Sequence, residues 1–225
     1  MRDLKECRDK ERRKMKEYHK IHTVWKRDEN GKMLIGQYSK PEFEYLSNNR
    51  WIAEEKIDGT NIRVMFQDNK VTFGGKTDNA ELYSPLVAKL QDLFPASKFQ
   101  EVFNTDSKVC LYGEGYGARI QKGGGNYIPD GVDFILFDVV VNNWWLKRTD
   151  VYGIAEKFNI KHVPIFIQRI TLQEAVNKVK SGFYSSFINS DRLFFAEGLI
   201  LRPEVDLFDR KGDRIICKLK TRDFA

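Results

Sequence analysis

The sequence predicts an α+β fold built on antiparallel sheets. Segments with the period of a strand and segments with the period of a helix are mixed, without the regular strand–helix–strand order of a parallel sheet. An Asn-Gly pair, a strong local signal for a hairpin, joins two strand-like segments. The chain has 225 residues, 41% of them hydrophobic and 13% aromatic, so we expect a sizeable core and exclude a disordered chain.

The N-terminal half begins with a polar segment and continues mainly with strands. Residues 3–20 are rich in helix formers and predict an exposed helix. Residues 21–27 and 32–38 predict a hairpin around Asn30-Gly31, and residues 41–46 predict a short helix. Further strands are predicted at residues 51–57, 61–67, 71–74, 109–113, 133–141, 197–202 and 214–219.

Three longer helices are predicted between these strands. Leucines at helical spacing cover residues 83–94, with Pro85 in the first turn. Residues 149–158 form the second, and residues 171–180 the third, which opens on Thr171 with Glu174 three residues later. Since no repeat or linker interrupts the chain, we expect a basic helical leader at residues 1–20 followed by one domain at residues 21–225.

The charge of the chain is concentrated at its ends. Residues 1–20 carry nine Lys or Arg against five acids, and residues 210–225 carry six against two, within a net charge of +6. Such basic ends favour a polyanionic partner such as nucleic acid or nucleotide phosphate, although an ordinary solvated helix also explains the first segment. The longest apolar run, residues 134–141, contains Asp138 and is far shorter than the roughly 20 residues of a membrane span.

The cysteines and histidines exclude several kinds of site. Cys7, Cys110 and Cys217 form no Cys-x-x-Cys pair, which favours a reducing compartment, and the latter two are expected in the core. Three scattered histidines argue against a histidine metal site or a histidine-based triad. The first residues lack the apolar segment of a signal peptide, so we expect a cytoplasmic protein.

Two glycine-containing segments carry groups suited to chemistry. Lys56 is followed by Asp58-Gly59, which predicts an amine at a tight turn that a ligand can approach closely. Glu114 lies among glycines after a predicted strand and can therefore face a cavity. The glycines at residues 123–125 predict a mobile loop that could close over a substrate.

Later segments add an aromatic ring and a pair of cations. Strand alternation places Phe137 opposite Leu136 and Asp138, so its ring is able to stack on a base. Lys218 and Lys220 share one face of their strand, an arrangement that favours an anion between them.

Together these segments, in this order, resemble the covalent lysyl-nucleotidyltransferases, which include ATP-dependent RNA and DNA ligases and mRNA capping enzymes. The resemblance rests on Lys-x-Asp-Gly at Lys56, the glycine-flanked Glu114, Phe-Asp-Val at Phe137, Glu197-Gly198 and Lys-x-Lys at 218–220. It covers residues 51–220, about three quarters of the chain. Asn61, where DNA ligases and capping enzymes usually have Arg, and residues 73–80 are similar to the RNA ligase 2 branch.

This resemblance implies a nucleotidyltransferase fold with two antiparallel sheets flanked by helices, and ATP between them. It also implies a reaction in which a lysine attacks the α-phosphate of ATP, AMP passes to a 5′-phosphate end, and a 3′-hydroxyl displaces AMP. Lys56 matches the nucleophile. Because a free lysine amine has a pKa of about 10.4, we expect Mg²⁺ and the Lys218/Lys220 pair to lower the pKa of Lys56.

The same match assigns ligand contacts. Asp58, Glu114 and Glu197 are expected to hold a hydrated Mg²⁺ or Mn²⁺. Lys218 and Lys220 match the lysines that hold the phosphates. The remaining ATP contacts are expected from Glu55 at the adenine edge, Phe137 stacked on adenine, Asn61, Glu114, Glu197 and Lys76. Lys76 stands where the family usually has Arg, and a lysine supplies the charge without the planar fork.

The sequence thus predicts an ATP-dependent polynucleotide ligase, with RNA ends as the expected substrate, acting as a monomer without a membrane or an obligate protein partner. DNA ligase, GTP-dependent capping transferase and catalytically silent nucleic-acid-binding module are the alternatives. A nicked duplex, a single strand and an RNA–DNA hybrid are not distinguished. The chain offers no room for an OB-fold after Lys220, so we expect either a minimal ligase or a truncated one.

Overall fold

The computed structural model describes residues 17–104, 106–186 and 193–224. Its strands are β1 (His22–Thr23), β2 (Trp25–Arg27), β3 (Met33–Tyr38), β4 (Trp51–Glu55), β5 (Thr60–Gln67), β6 (Lys70–Gly74), β7 (Val109–Gly117), β8 (Val132–Val141), β9 (Trp144–Trp145), β10 (Lys161–His162), β11 (Ile165–Ile170), β12 (Gly198–Pro203) and β13 (Cys217–Lys220). Its helices are α1 (Pro41–Tyr45), α2 (Ser84–Leu93), α3 (Ala96–Val102), α4 (Gly124–Tyr127), α5 (Arg148–Phe158) and α6 (Leu172–Lys180), with a 3₁₀ turn at Thr221–Asp223.

Two mainly antiparallel sheets organise the described chain, which confirms the predicted α+β class. One sheet has the strand order β1-β13-β12-β4-β11, and only its edge pair β1·β13 is parallel. The other has the order β10-β8-β7-β5-β6, with β9 added to β8 and a single parallel pair, β10·β8. The short strands β2 and β3 form a separate ribbon.

Each large sheet has its own hydrophobic core on its outer face. The five-stranded sheet packs against α1 and α6, through side chains such as Phe43 and Val176. The other sheet packs against α2, α3 and α5, through side chains such as Leu86, Phe99 and Ile154. Because helices cover the outer faces, the inner faces of both sheets are left to form a site between them.

The predicted hairpin exists only in part. Trp25–Arg27 pairs with Met33–Tyr38, and Gly31 in the turn has a φ of +80°, as an Asn-Gly turn favours. Residues 22–23, predicted in the same strand, instead pair in parallel with β13, His22 opposite Cys217. A long-range pairing of this kind leaves no local pattern in the sequence.

The helices predicted at residues 41–46, 83–94, 149–158 and 171–180 are confirmed, with small changes in their ends. Pro85 lies in the first turn of α2, whose Leu86 and Leu90 are buried. Thr171 and Glu174 form the expected capping box at the start of α6. The short elements α3, α4, β9, β10 and the irregular β11 were not predicted, because short apolar runs carry little periodicity.

The predicted leader is described only at its end. Residues 1–16 lie outside the described residues, as does Cys7. Residues 17–20 are not helical, and Tyr18 is 8% exposed, so this part of the leader packs on the domain instead of extending an exposed helix. Cys110 and Cys217 are buried free thiols, as expected. Within the described ranges, no helix is long and apolar enough to cross a membrane.

Candidate active site

A cavity of about 400 Å³ lies between the inner faces of the two sheets. Both sheets contribute to its lining, β4, β12 and β13 from one and β5, β7 and β8 from the other. The structure brings eight of the predicted site residues to this lining: Glu55, Lys56, Asn61, Lys76, Glu114, Phe137, Lys218 and Lys220. The other two, Asp58 and Glu197, lie beside it in contact with its neighbours.

Lys56 follows directly on β4 and is held by Glu197. Its backbone N–H donates to the carbonyl of Gly198, 2.9 Å away, which continues the pairing of β4 with β12. Its ammonium lies 2.6 Å from a carboxylate oxygen of Glu197, and both side chains are largely buried. The other oxygen of Glu197 accepts from Lys220 at 2.7 Å. One carboxylate therefore joins two of the predicted catalytic lysines.

The protein's own groups raise the pKa of Lys56, so the Lys218/Lys220 pair does not by itself produce the expected lowering. Burial of the amine disfavours its charged form, but the carboxylates of Glu114 and Glu197 outweigh burial and raise the pKa above its ordinary value. Lys218 and Lys220 do not reverse this effect. Lys56 is accordingly an ammonium in the resting site, and it must lose a proton before it can act as a nucleophile.

Lys218 behaves as the predicted cation pair requires. It lies opposite Ile200 in the sheet and faces the cavity with Lys220. Burial, together with the like charges of Lys220, Lys56 and Lys76, lowers its pKa to about 8. Within the described part of the chain, no acidic side chain forms an ion pair with it. An anion beside Lys218 would relieve the repulsion among these lysines.

The three predicted metal ligands are not assembled into a cage. Among residues 17–104, 106–186 and 193–224, no three His, Cys, Asp or Glu side chains are grouped closely enough to hold a metal ion. Glu197 is occupied by two lysines, and Asp58 accepts a hydrogen bond from the Gly123 N–H at 3.0 Å. Glu114 is the carboxylate whose charged form a cation would stabilise most. Burial raises its pKa to about 7; Lys56 opposes this rise, and Glu197 and Asp58 add to it.

The turn after Lys56 lines the cavity and is also packed closely on β7. A Cβ at Gly59 would lie 2.3 Å from the carbonyl oxygen of Gly115, so the glycine allows the turn to pack on β7. The N–H of Asp58 donates to the Tyr127 hydroxyl at 3.3 Å, and its carboxylate holds Gly123. The glycine segment predicted as a mobile loop therefore contains α4 and is tied to this turn.

A β-bulge in β8 determines which face of the sheet the side chain of Phe137 lies on. Tyr112 is opposite Asp138, whereas Gly113 is opposite Leu136, so Phe137 is an extra residue in β8. Leu136 packs in the outer core, as alternation predicts, but Phe137 and Asp138 both contact Tyr18 on the inner face. The prediction that Phe137 points away from Asp138 is wrong, because the bulge breaks the alternation between them.

Two further predicted contacts differ in their availability. Glu55 is 1% exposed, and its carboxylate oxygens accept hydrogen bonds from Ser185 and Ser186, so its side chain holds that segment against β4. The amide oxygen of Asn61 is buried and has no hydrogen-bond partner among the described residues. An orphaned acceptor on a cavity wall fits a donor from a bound ligand.

A buried ionic network beneath the cavity was not predicted. Asp138 receives a bidentate pair from Arg214, at 3.0 and 2.7 Å, and a longer contact from Arg202. Glu54 pairs with Arg202 at 3.0 Å and also with Arg148, which donates to the carbonyl of Phe137. The available signal was a charged residue inside an apolar strand, since such a residue is buried only when it is paired.

The comparisons with known proteins agree with this geometry. A family model described as RNA ligase matches residues 49–220. A Naegleria gruberi RNA ligase mutant in the apo form superposes with a TM-score of 0.64 at 16% identity, covering 92% of this chain and 56% of that one. The Naegleria gruberi RNA ligase with PPi superposes with a TM-score of 0.63 at 18% identity, again covering 92% of this chain and 56% of that one. A mutant of the Naegleria ligase with ATP and Mn superposes with a TM-score of 0.60 at 18% identity, covering 82% of this chain and 52% of that one.

These likenesses show a shared fold and confirm the predicted ligase architecture. The chain spans little more than half the length of the solved proteins that it matches. The matched family region, residues 49–220, begins after Tyr18 and ends at Lys220.

Proposed function

Because this chain belongs to the RNA ligase family, we propose that it joins RNA ends at the expense of ATP through a covalent lysyl-AMP on Lys56. One observation carries the proposal. Lys56 shares a cavity with Lys218, Lys220 and the ring of Phe137, so a nucleophile, a phosphate site and an aromatic surface for a base lie together. ATP binding is further supported by the structural likeness to a ligase solved with ATP and Mn.

In the first step, the Lys56 nitrogen attacks the α-phosphorus of ATP, a phosphoramidate bond forms, and the bond to the bridging oxygen breaks to release pyrophosphate. The ammonium must first give up its proton. The Glu197 carboxylate, 2.6 Å away, stabilises the ammonium; although it is largely buried, Lys56 and Lys220 lower its pKa, so it is a weak base, and the proton leaves only once bound cations weaken this pair. Lys220, bound to the other oxygen of Glu197, is free to turn to the incoming phosphates once they are bound.

The phosphates are held by positive charge that the resting site leaves uncompensated. Lys218 has the like charges of Lys220, Lys56 and Lys76 around it. An anion in their midst relieves this repulsion, and it also offsets the negative charge that develops at the α-phosphorus during attack. The base stacks on Phe137, and the free amide oxygen of Asn61 accepts a hydrogen bond from the nucleotide.

A divalent cation fits this site as a hydrated ion. A nearby cation stabilises the charged form of Glu114, whose pKa is raised. Asp58 and Glu197 lie close enough to Glu114 to interact with its carboxylate electrostatically. Mg²⁺ usually keeps several waters and uses one or two carboxylates with the substrate phosphates, which suits carboxylates that do not form a cage. Such a cation, Mg²⁺ or Mn²⁺, would supply charge neutralisation at the phosphates.

AMP then passes from Lys56 to a 5′-phosphate end, and a 3′-hydroxyl displaces it. Phosphates, sugars and the geometry of the ends are sufficient for this reaction, so base-specific contacts are not expected. RNA end repair in the cytoplasm by a monomer is the setting we propose. The two buried free cysteines among the described residues support a reducing compartment.

The test is incubation of the full chain with α-labelled ATP or GTP and Mg²⁺, followed by a denaturing gel. We expect label from ATP in the wild type and in Lys98→Ala, a control at a half-buried lysine on α3 outside the cavity lining, and none in Lys56→Ala. Circular dichroism checks that Lys56→Ala stays folded.

Other outcomes each redirect the proposal. Label retained by Lys56→Ala would refute the assigned nucleophile. Label from GTP alone would identify a capping reaction, and no label from either nucleotide would favour a binding module. A panel of nicked duplex RNA, nicked DNA, hybrid and single-stranded ends then determines the substrate.

A further inference from the structure

One side of the nucleotide cavity is built by a segment that precedes the matched family region. Tyr18, His19, Lys20 and Ile21 all line the cavity, whereas the family match begins at residue 49. This side therefore comes from the chain's own N-terminal segment. Tyr18 is the most buried of the four, with 8% of its surface exposed.

The ring of Tyr18 packs against the aromatic surface proposed for the base. Its centroid lies 5.1 Å from that of Phe137, with the planes at 79°. Tyr112 and Trp145 hold the same ring in edge contacts at 5.2 and 5.7 Å. Edge contacts of this kind constrain the orientation of both rings.

The hydroxyl of Tyr18 contacts the neighbouring residue of the same bulge. It donates to a carboxylate oxygen of Asp138 at 2.5 Å and accepts from Arg214 at 3.1 Å. Burial and the nearby Asp138 raise the pKa of this hydroxyl, so it stays a donor. Tyr18 thus holds Phe137, which lines the cavity, through its ring, and Asp138, which is buried in the ionic network, through its oxygen.

We propose that Tyr18 is a positioning residue for nucleotide binding, which fixes the Phe137–Asp138 bulge so that the Phe137 ring presents its face to the base. This inference rests on the proposed function, since it assigns the base to Phe137. The bulge is the irregular part of β8, where the ladder alone leaves Phe137 without a partner residue on β7. Contacts from outside the ladder, Tyr18 and Arg148 among them, therefore define its orientation.

The hydroxyl distinguishes this role from simple filling of space. A phenylalanine at position 18 keeps the edge contacts with Phe137, Tyr112 and Trp145 and removes only the bonds to Asp138 and Arg214. If Tyr18 only fills space in the core, Tyr18→Phe should leave the affinity for ATP unchanged. If Tyr18 positions Phe137, Tyr18→Phe should weaken ATP binding.

The experiment is calorimetric titration of ATP into the full chain carrying Lys56→Ala, so that binding is measured without the covalent step. Tyr18→Phe is expected to raise the Kd for ATP about three- to tenfold, and Tyr18→Ala more than about tenfold. Tyr38→Phe and Tyr38→Ala are the matched controls, because Tyr38 packs on Trp25 in the β2–β3 ribbon and does not line the cavity. They are expected to leave the Kd unchanged.

The same variants in the wild-type background separate this inference from the proposed function. There, the concentration of ATP that half-saturates labelling should rise while the rate at saturating ATP stays within about twofold. Unchanged Kd in Tyr18→Phe, or a fall only in the saturated rate, would overturn the positioning role. Tyr18→Phe decides the matter if Tyr18→Ala fails to fold. Absence of labelling in the wild type would count against the ligase proposal. The comparison of Kd values for ATP would still test the positioning role of Tyr18.

Discussion

At the residue scale, the cavity places five lysines around a small number of carboxylates. Glu197 neutralises Lys56 and Lys220, whereas Lys218 remains beside three like charges, including exposed Lys76. The consequence is a division of roles before any ligand binds. Lys56 is held as a protected ammonium, and Lys218 is a cation whose charge is most easily lost as the pH rises.

The pKa of Lys218 makes ATP binding dependent on pH. Because its pKa is about 8 in the ligand-free protein, Lys218 is charged below pH 8 and neutral above it. Phosphate binding needs the charged form, so the affinity for ATP should fall as the pH rises from 7 to 9.5, approaching a limit of about tenfold per pH unit. Lys218→Arg keeps its charge throughout this range and should remove the fall. The measurement is ATP titration across this range, and identical profiles in the two proteins would contradict the assignment.

At the element scale, β7 and β8 determine how the site is shaped. The sequence predicts a strand that ends at Gly113, but β7 continues through the following glycines to Gly117. Gly113 and Gly115 approach side chains of the outer core, Phe134 and Leu86, and leave Glu114 to face the cavity. The absence of side chains at 113 and 115 thus serves helix packing as well as access to Glu114.

Adding a methyl group to Gly113 should disrupt this packing. A Cβ there would lie 2.1 Å from the Phe134 ring and 2.5 Å from the carbonyl oxygen of Ile135, and the backbone atom has little freedom to move. We expect Gly113→Ala to lower the free energy of unfolding by about 3 kcal/mol. Gly153→Ala, on α5 with no atom within 4 Å of the added carbon, should instead raise it by about 0.5–1 kcal/mol. Urea unfolding of both variants is the measurement, and equal effects would refute the packing argument.

At the scale of the whole molecule, the buried ionic network joins the two sheets. Asp138 belongs to β8 in one sheet and contacts Arg202 of β12 in the other. Arg214, which precedes β13, adds the bidentate pair. The network therefore connects the inner faces that enclose the cavity, and its strength is part of what keeps the cavity in shape.

The network should make the free energy of unfolding depend on pH in the acidic range. Burial opposes the charge of Asp138, but Arg214 and Arg202 outweigh it and hold the pKa of Asp138 well below its usual value. Its stabilising contribution is therefore complete above the pKa of the unfolded chain, about 3.9, and is lost as the pH falls below that value. Asp138→Asn should cost about 3–5 kcal/mol at pH 7, because buried guanidinium groups lose their partner, and less at pH 3.

Urea unfolding of the wild type and Asp138→Asn at the two pH values measures this difference. Asp92→Asn, at an exposed position on α2, is the control and should change little at either pH. A cost that is equal at pH 7 and pH 3 would show that Asp138 contributes packing and not charge.

The sequence by itself determined the features that depend on neighbouring residues. The Asn30-Gly31 turn, the leucine spacing of α2 and the capping box at Thr171 are local signals, and each is found in the structure. The ordered segments around Lys56, Glu114 and Lys218 also identified the family and eight residues of the cavity lining.

Only the tertiary structure decided the features that join distant parts of the chain. The β1·β13 pair, the contact between Lys56 and Glu197, and the seat of Tyr18 against Phe137 connect residues more than a hundred positions apart. The bulge at Phe137 reverses the strand alternation that the sequence implied, and it depends on register with β7. The pKa of Lys56 likewise follows from carboxylates that the fold brings together. Periodicity reports only the immediate neighbours of a residue, whereas contacts and charges of this kind exist only after the two sheets have packed.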